Sequence, residues 1–122
     1  MSWSSHTGWT VSGTSDSTSA DKYYIMKSGA QIESPSFTFN SIKSVVVKTR
    51  TYSSKKYTDV YYGSTKLGTI EATNTTLANK TLPISTSPSA GTGTIKVISG
   101  SDATASQGAG VQEITINYDV YE

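Results

Sequence analysis

Apolar residues in this chain come in short β-branched and aromatic runs, cut by Ser, Gly, Asn and Asp. Nowhere is the i, i+3, i+4, i+7 spacing of an amphipathic helix sustained. The segments that read as strands are 8–12, 22–28, 30–34, 36–39, 42–52, 57–62, 66–71, 80–85, 92–99 and 111–120. About eight to ten strands in one unit require a sandwich or barrel, since each strand needs a neighbour for its backbone and a second layer for its apolar face. The small, polar stretches 12–21 and 100–110 are expected as surface loops. Pro35, Pro83 and Pro88 are expected at strand starts, edges or turns, where a missing N–H is tolerated.

Alternation assigns the faces. Val45, Val47, Thr49 and Thr51 share one parity, and Val46, Lys48, Arg50 and Tyr52 the other, so that strand has a buried and a polar side. Thr58, Val60 and Tyr62 are expected inward, and Tyr57, Asp59 and Tyr61 outward. Gly63 lies between two strand-like runs and predicts a hairpin turn. Ile114, Ile116, Tyr118 and Val120 alternate with Glu113, Thr115, Asn117 and Asp119, and Leu82, Ile84, Ile95 and Val97 complete a modest core. Trp9, bracketed by strand residues, is expected in it.

The 122 residues fit one domain, with residues 1–6 expected as a flexible N-terminal segment. Ten Lys and Arg against nine Asp and Glu leave a net charge of +1, which gives no field to hold nucleic acid or an anionic membrane. Charged residues make up 16% and about a third of the chain is Ser or Thr, so hydroxyls supply its solubility. The absence of Cys excludes disulfides, thiol nucleophiles and Cys-based metal sites, and the single His6 excludes a multi-histidine site. The N-terminus reads as no signal peptide and no segment approaches a membrane span. Asn74-Thr75-Thr76 and Asn79-Lys80-Thr81 match the N-glycosylation triplet, as chance allows in so Thr-rich a chain.

The order of these elements is more specific than their composition. A Gly8-Trp9-Thr10-Val11 strand precedes the extended stretch from Tyr23 to Pro35. Then follow Ser44 to Tyr52, the Tyr57 to Gly68 hairpin with Leu67-Gly68-Thr69-Ile70, and Gly108 to Tyr118. This series resembles the galactose-binding-like jelly-roll shared by many carbohydrate-binding modules. "SGAQIESPSF" resembles the stretch in which an extended strand ends at the edge of the first sheet, and "GVQEITINY" the last strand. The resemblance implies an all-β antiparallel sandwich, ahead of an immunoglobulin- or fibronectin-like one, and glycan binding without catalysis. It also implies a structural calcium, for which this chain offers no dense acidic cluster in an early loop. No cofactor is expected.

Alternation lets Arg50, Tyr52, Tyr57, Asp59 and Tyr61 share the outward face of two neighbouring strands. That set suits a saccharide, whose C–H faces stack on aromatic rings and whose hydroxyls pair with charged planar groups. A cross-strand Arg50–Asp59 pair among tyrosines would give the same pattern. An alternative aromatic surface is Trp3, Tyr23 and Tyr24 at the loop end. Catalysis would need His6 beside a nucleophile, or two converging carboxylates such as Asp59 with Glu113 or Asp119. Asp16, Asp21 and Asp102 stand singly in loops. Lys55-Lys56 reads as a polar hairpin tip. Two functions follow: a non-catalytic recognition module for a glycan or cell-surface polymer, within a larger secreted protein, or a phage virion structural protein contacting other virion or surface chains. Neither requires nucleic acid or membrane insertion.

Overall fold

The computed structural model describes residues 6–17 and 22–120. Twelve strands make up its regular structure: β1 (Thr10–Ser12), β2 (Ser15–Asp16), β3 (Tyr24–Ile25), β4 (Gln31–Glu33), β5 (Phe37–Phe39), β6 (Ser41–Arg50), β7 (Lys56–Tyr62), β8 (Thr65–Ala72), β9 (Ala78–Pro83), β10 (Gly91–Gly93), β11 (Ile95–Ser99) and β12 (Gly110–Asp119). Sheet one has the order β1-β4-β11-β7-β8 and sheet two the order β2-β3-β12-β6-β9, while β5 and β10 form a small ribbon. Every pairing is antiparallel. The all-β sandwich expected from the sequence is the fold.

The core lies where the inner faces of the two sheets meet. Val45 and Val47 on β6, Val111 and Ile114 on β12, Val60 on β7, and Ile95 and Val97 on β11 are buried there with Ile32, Phe39 and Met26. Trp9, Leu82 and Ile84 pack half-buried against that cluster, as the alternation implies. On β12 the buried parity weakens toward its end. A register shift between Asn117 and Tyr118 turns the strand, and Tyr118 and Val120 stand 41% and 57% exposed.

Several boundaries differ from the sequence reading. Segment 92–99 divides at Thr94, whose hydroxyl donates to Glu33 Oε2 at 2.7 Å, so β10 pairs with β5 and β11 with β4 and β7. Segment 12–21 is not wholly a loop, since Ser15 and Asp16 pair with β3. Segment 22–28 keeps only two ladder residues because the chain then leaves the sheet, the Met26 N–H donating to Ala109 O at 2.8 Å. The Gly63 turn is as expected. Tyr62 pairs with Thr65 across two residues, and Gly63 has φ of 59° with no positive φ at Ser64, the backbone of a type II′ hairpin. Pro83 sits on β9, an edge strand, and needs no ladder donor there.

The connection after β6 matters most for function. β6 belongs to sheet two and β7 to sheet one, so residues 51–55 cross between the sheets rather than form a hairpin. The Thr51 N–H donates to Asn74 O at 2.8 Å and its hydroxyl donates to Ser54 O, which pins the crossing. Lys55 and Lys56 are therefore not a hairpin tip: Lys55 pairs with Glu71 at 3.6 Å, and Lys56 Nζ donates to Asp102 O at 3.3 Å.

Candidate functional site

That crossing divides the five residues expected on one face. Tyr57, Asp59 and Tyr61 alternate on β7 and point away from the core on sheet one, as the parity of Thr58 and Val60 demands. Arg50 and Tyr52 lie at the end of sheet two, and no Arg50–Asp59 pair forms. The expectation of a shared face fails because β6 and β7 are joined across the sandwich.

The sheet-one face can be built row by row from the register. Lys96 and Lys66 flank Tyr61, Ile98 and Thr69 flank Asp59, and Glu71 stands opposite Tyr57. Farther across, Glu33 lies opposite Lys96 and Gln31 opposite Ile98. Asp59 is held in place: Thr69 donates its hydroxyl to Oδ1 at 2.8 Å, and Lys66 Nζ lies 3.3 Å from the same oxygen. Both contacts fall on Oδ1, so Oδ2 accepts no hydrogen bond from the described residues. The face therefore carries two half-exposed phenol rings on either side of a fixed carboxylate with acceptor capacity to spare. Among the described residues no pocket encloses it.

At the end of sheet two, Arg50 lies against two neighbouring rings, its Cζ 5.2 Å from the Tyr23 centroid and 5.0 Å from that of Tyr52. Tyr23 donates its hydroxyl to Tyr52 at 2.9 Å. Loss of solvation around the Tyr52 hydroxyl pushes its pKa up to about 12 against the pull of Arg50. Of the alternative loop-end set, Trp3 lies outside the described residues. Tyr23 is 1% exposed under this cluster and Tyr24 faces the core, its pKa raised by burial and then by Asp16. Those two rings thus offer no open aromatic surface, and Tyr52, 43% exposed, is the accessible ring of this region.

The residues weighed for catalysis are dispersed. His6 is not a free terminal residue: it is half-buried, its Nε2 within 3.2 Å of Ile114 O and 3.4 Å of Ile114 N, with its ring edge-on to Trp9. It thereby covers backbone of β12 beyond the point where β3 stops pairing. Asp59 is on sheet one, whereas Glu113 and Asp119 are on β12 of sheet two, so they do not share a face. Asp16 lies in β2 and Asp21 outside the described residues. A structural calcium would need several hard oxygen donors in one place. No three His, Cys, Asp or Glu side chains gather so among the described residues. Lys66, Lys96 and Thr69 were not singled out from the sequence, although pairing outward from the Gly63 turn would have found Lys66.

No protein-family model matches the chain, and no curated protein does. Solved structures do. The carbohydrate-binding module CBM36, solved with calcium and xylotriose, superposes with a TM-score of 0.71 at 17% identity, covering 89% of this chain and 98% of its own. The fold is that of the carbohydrate-binding modules. A CBM35 from Paenibacillus barcinonensis gives a TM-score of 0.66 at 20% identity over 93% of this chain and 95% of that one. CsCBM6-3 from Clostridium stercorarium, in complex with cellobiose, gives 0.67 at 15% identity over 98% and 92%. The carbohydrate-binding-module sandwich thus accounts for nearly the whole chain. No helix among the described residues is long and apolar enough to cross a membrane.

Proposed function

We propose that this chain is a non-catalytic glycan-binding module that lays a segment of neutral polysaccharide along the outer face of sheet one. The observation that carries the reading is β7, which sets Tyr57 and Tyr61 on either side of Asp59 on one solvent-facing surface. The two tyrosines are four residues apart, roughly 13 Å along a strand, a span suited to an oligosaccharide rather than a single sugar. Their rings offer stacking surface to sugar C–H faces, and Asp59 Oδ2 accepts a hydroxyl. Lys66 and Lys96 supply donors around them. An open face suits the interior of a polymer. Superposable modules solved with cellobiose and xylotriose make β-linked glucans and xylans the first ligands to try. Attachment within a larger secreted protein accords with this role.

Affinity electrophoresis of the purified chain through gels carrying β-glucan, xylan or no polymer tests the proposal. Retardation by at least one neutral polymer is expected, and Tyr57→Ala or Tyr61→Ala should weaken it about tenfold, the effect of losing one well-packed aromatic contact. Migration unchanged in every polymer, with stable assemblies of the chain on sizing, would replace this reading with the virion structural role.

A further inference from the structure

The end of sheet two, on the other side of the sandwich from Tyr57 and Tyr61, holds a guanidinium in a fixed position. The rings of Tyr23 and Tyr52 both pack against Arg50 and are tied to each other by the Tyr23 hydroxyl. Gly110 on the strand between β3 and β6 makes this possible, for a Cβ there would stand 2.5 Å from a Tyr23 ring carbon and 3.0 Å from Arg50 Cγ. Arg50 is thus preorganised, which reduces the entropy its side chain would lose on gripping a ligand.

No described carboxylate neutralises it. The register places Glu113 opposite Lys48, and Asp16 opposite Tyr24, hence on the side of β2 that Tyr24 shares with the core. Asp59 pairs with Lys66 on the other sheet. Arg50 Nε donates to Thr51 O at 3.3 Å, which leaves the Nη donors of the guanidinium fork. Tyr52 accepts from Tyr23 and so keeps its own proton to donate, and with its pKa near 12 it remains a donor at neutral pH. Ser53 and Ser54, both exposed, follow immediately. The cluster therefore presents positive charge and hydrogen-bond donors with a half-open ring beside them, and no negative charge among the described residues. A neutral sugar leaves that charge unanswered, whereas an oxyanion satisfies both the fork and the phenol.

We infer that Arg50, Tyr52 and Tyr23 form a second site, selective for an oxyanion carried on a saccharide, either a uronate carboxylate or a sulfate ester. Arg50 grips the oxyanion, Tyr52 donates to it and stacks on the sugar ring, and Tyr23 holds both in place. This site does not rest on the sheet-one reading, since its ligand is acidic and its residues lie on the opposite sheet.

Isothermal titration calorimetry of the intact chain with oligogalacturonate, a sulfated oligosaccharide and their uncharged counterparts tests it. At least one acidic ligand should bind tenfold or more tightly than its neutral counterpart, with affinity falling as salt is raised. Which acidic ligand does so distinguishes carboxylate from sulfate. Arg50→Gln should reduce that binding at least tenfold, Arg50→Lys should restore part of it, and Tyr52→Phe, which keeps the ring, should weaken it severalfold. Tyr57→Ala should leave it unchanged, so failure here and failure of the sheet-one site are separable. Equal affinity for acidic and neutral ligands, no binding of either, or full acidic binding by both Tyr52→Phe and a folded Arg50→Gln variant would overturn the inference.

Discussion

Two buried threonines allow the same substitution to be tried with opposite expected signs. Thr58 on β7 and Thr49 on β6 are each 1% exposed and each point into the core. Thr49 donates its hydroxyl to Gly110 O at 2.6 Å, whereas Thr58 Oγ1 is buried with no partner among the described residues. An unsatisfied buried hydroxyl costs about 1–3 kcal/mol, while a satisfied one contributes about 1 kcal/mol net. Replacing Thr58 with Val exchanges the orphaned oxygen for a methyl of similar size and should stabilise the fold by about 1 kcal/mol. Thr49→Val removes a made bond and should destabilise it by about 1 kcal/mol. For a domain of this length each corresponds to roughly 3–5 °C in Tm, in opposite directions. Urea unfolding with a common m-value measures both. If the two variants move the midpoint in the same direction, the assignment of a missing partner to Thr58 and a made bond to Thr49 is wrong.

Other expectations follow from the same packing. Gly110→Ala should destabilise the chain by about 1–3 kcal/mol through overpacking against Tyr23, and a chemical-shift map should show the disturbance reaching Tyr52. Phe39→Ala should cost about 3–5 kcal/mol in denaturant unfolding, since Phe39 is fully buried, edge-on to Tyr62 at 5.3 Å and beside Phe37. Raising pH should deprotonate Tyr52 later than an ordinary tyrosine. Its contribution to stability is whole below about pH 10 and is lost as pH rises toward 12, because the unfolded chain releases that proton first. NMR titration of ring-labelled tyrosine should show a step near pH 12 that Tyr52→Phe removes while the raised Tyr24 step remains, and a Tyr52 midpoint near 10 would contradict the loss of solvation around its hydroxyl.

The rhythm of apolar positions carried much of the architecture. The parity of Val45, Val47 and Thr49, and that of Thr58 and Val60, is local information, since in a strand a residue's face depends only on its neighbours. What was illegible is non-local. Whether β7 pairs with β6 or crosses to the other sheet depends on the Thr51 to Lys55 segment, which a Thr51 N–H bond anchors to distant Asn74. That one turn separated Arg50 from Asp59. The short strands Ser15–Asp16 and Tyr24–Ile25 were obscured similarly, because they exist through partners on each other and on β12 rather than through propensity. Lys66 was readable opposite Tyr61 from the two-residue turn. The bulge beyond it, which sets Asp59 against Thr69 instead of Gly68, was not.

The sheet-one site is tested most directly by a residue-resolved NMR titration of the chain with neutral β-glucan and xylan oligosaccharides. Saturable shifts are expected on Tyr57, Asp59 and Tyr61 and on their cross-strand neighbours Lys66, Thr69 and Lys96, with the sheet-two face silent. Saturable shifts confined to sheet two or the inter-sheet loops, with those residues unmoved, would contradict it.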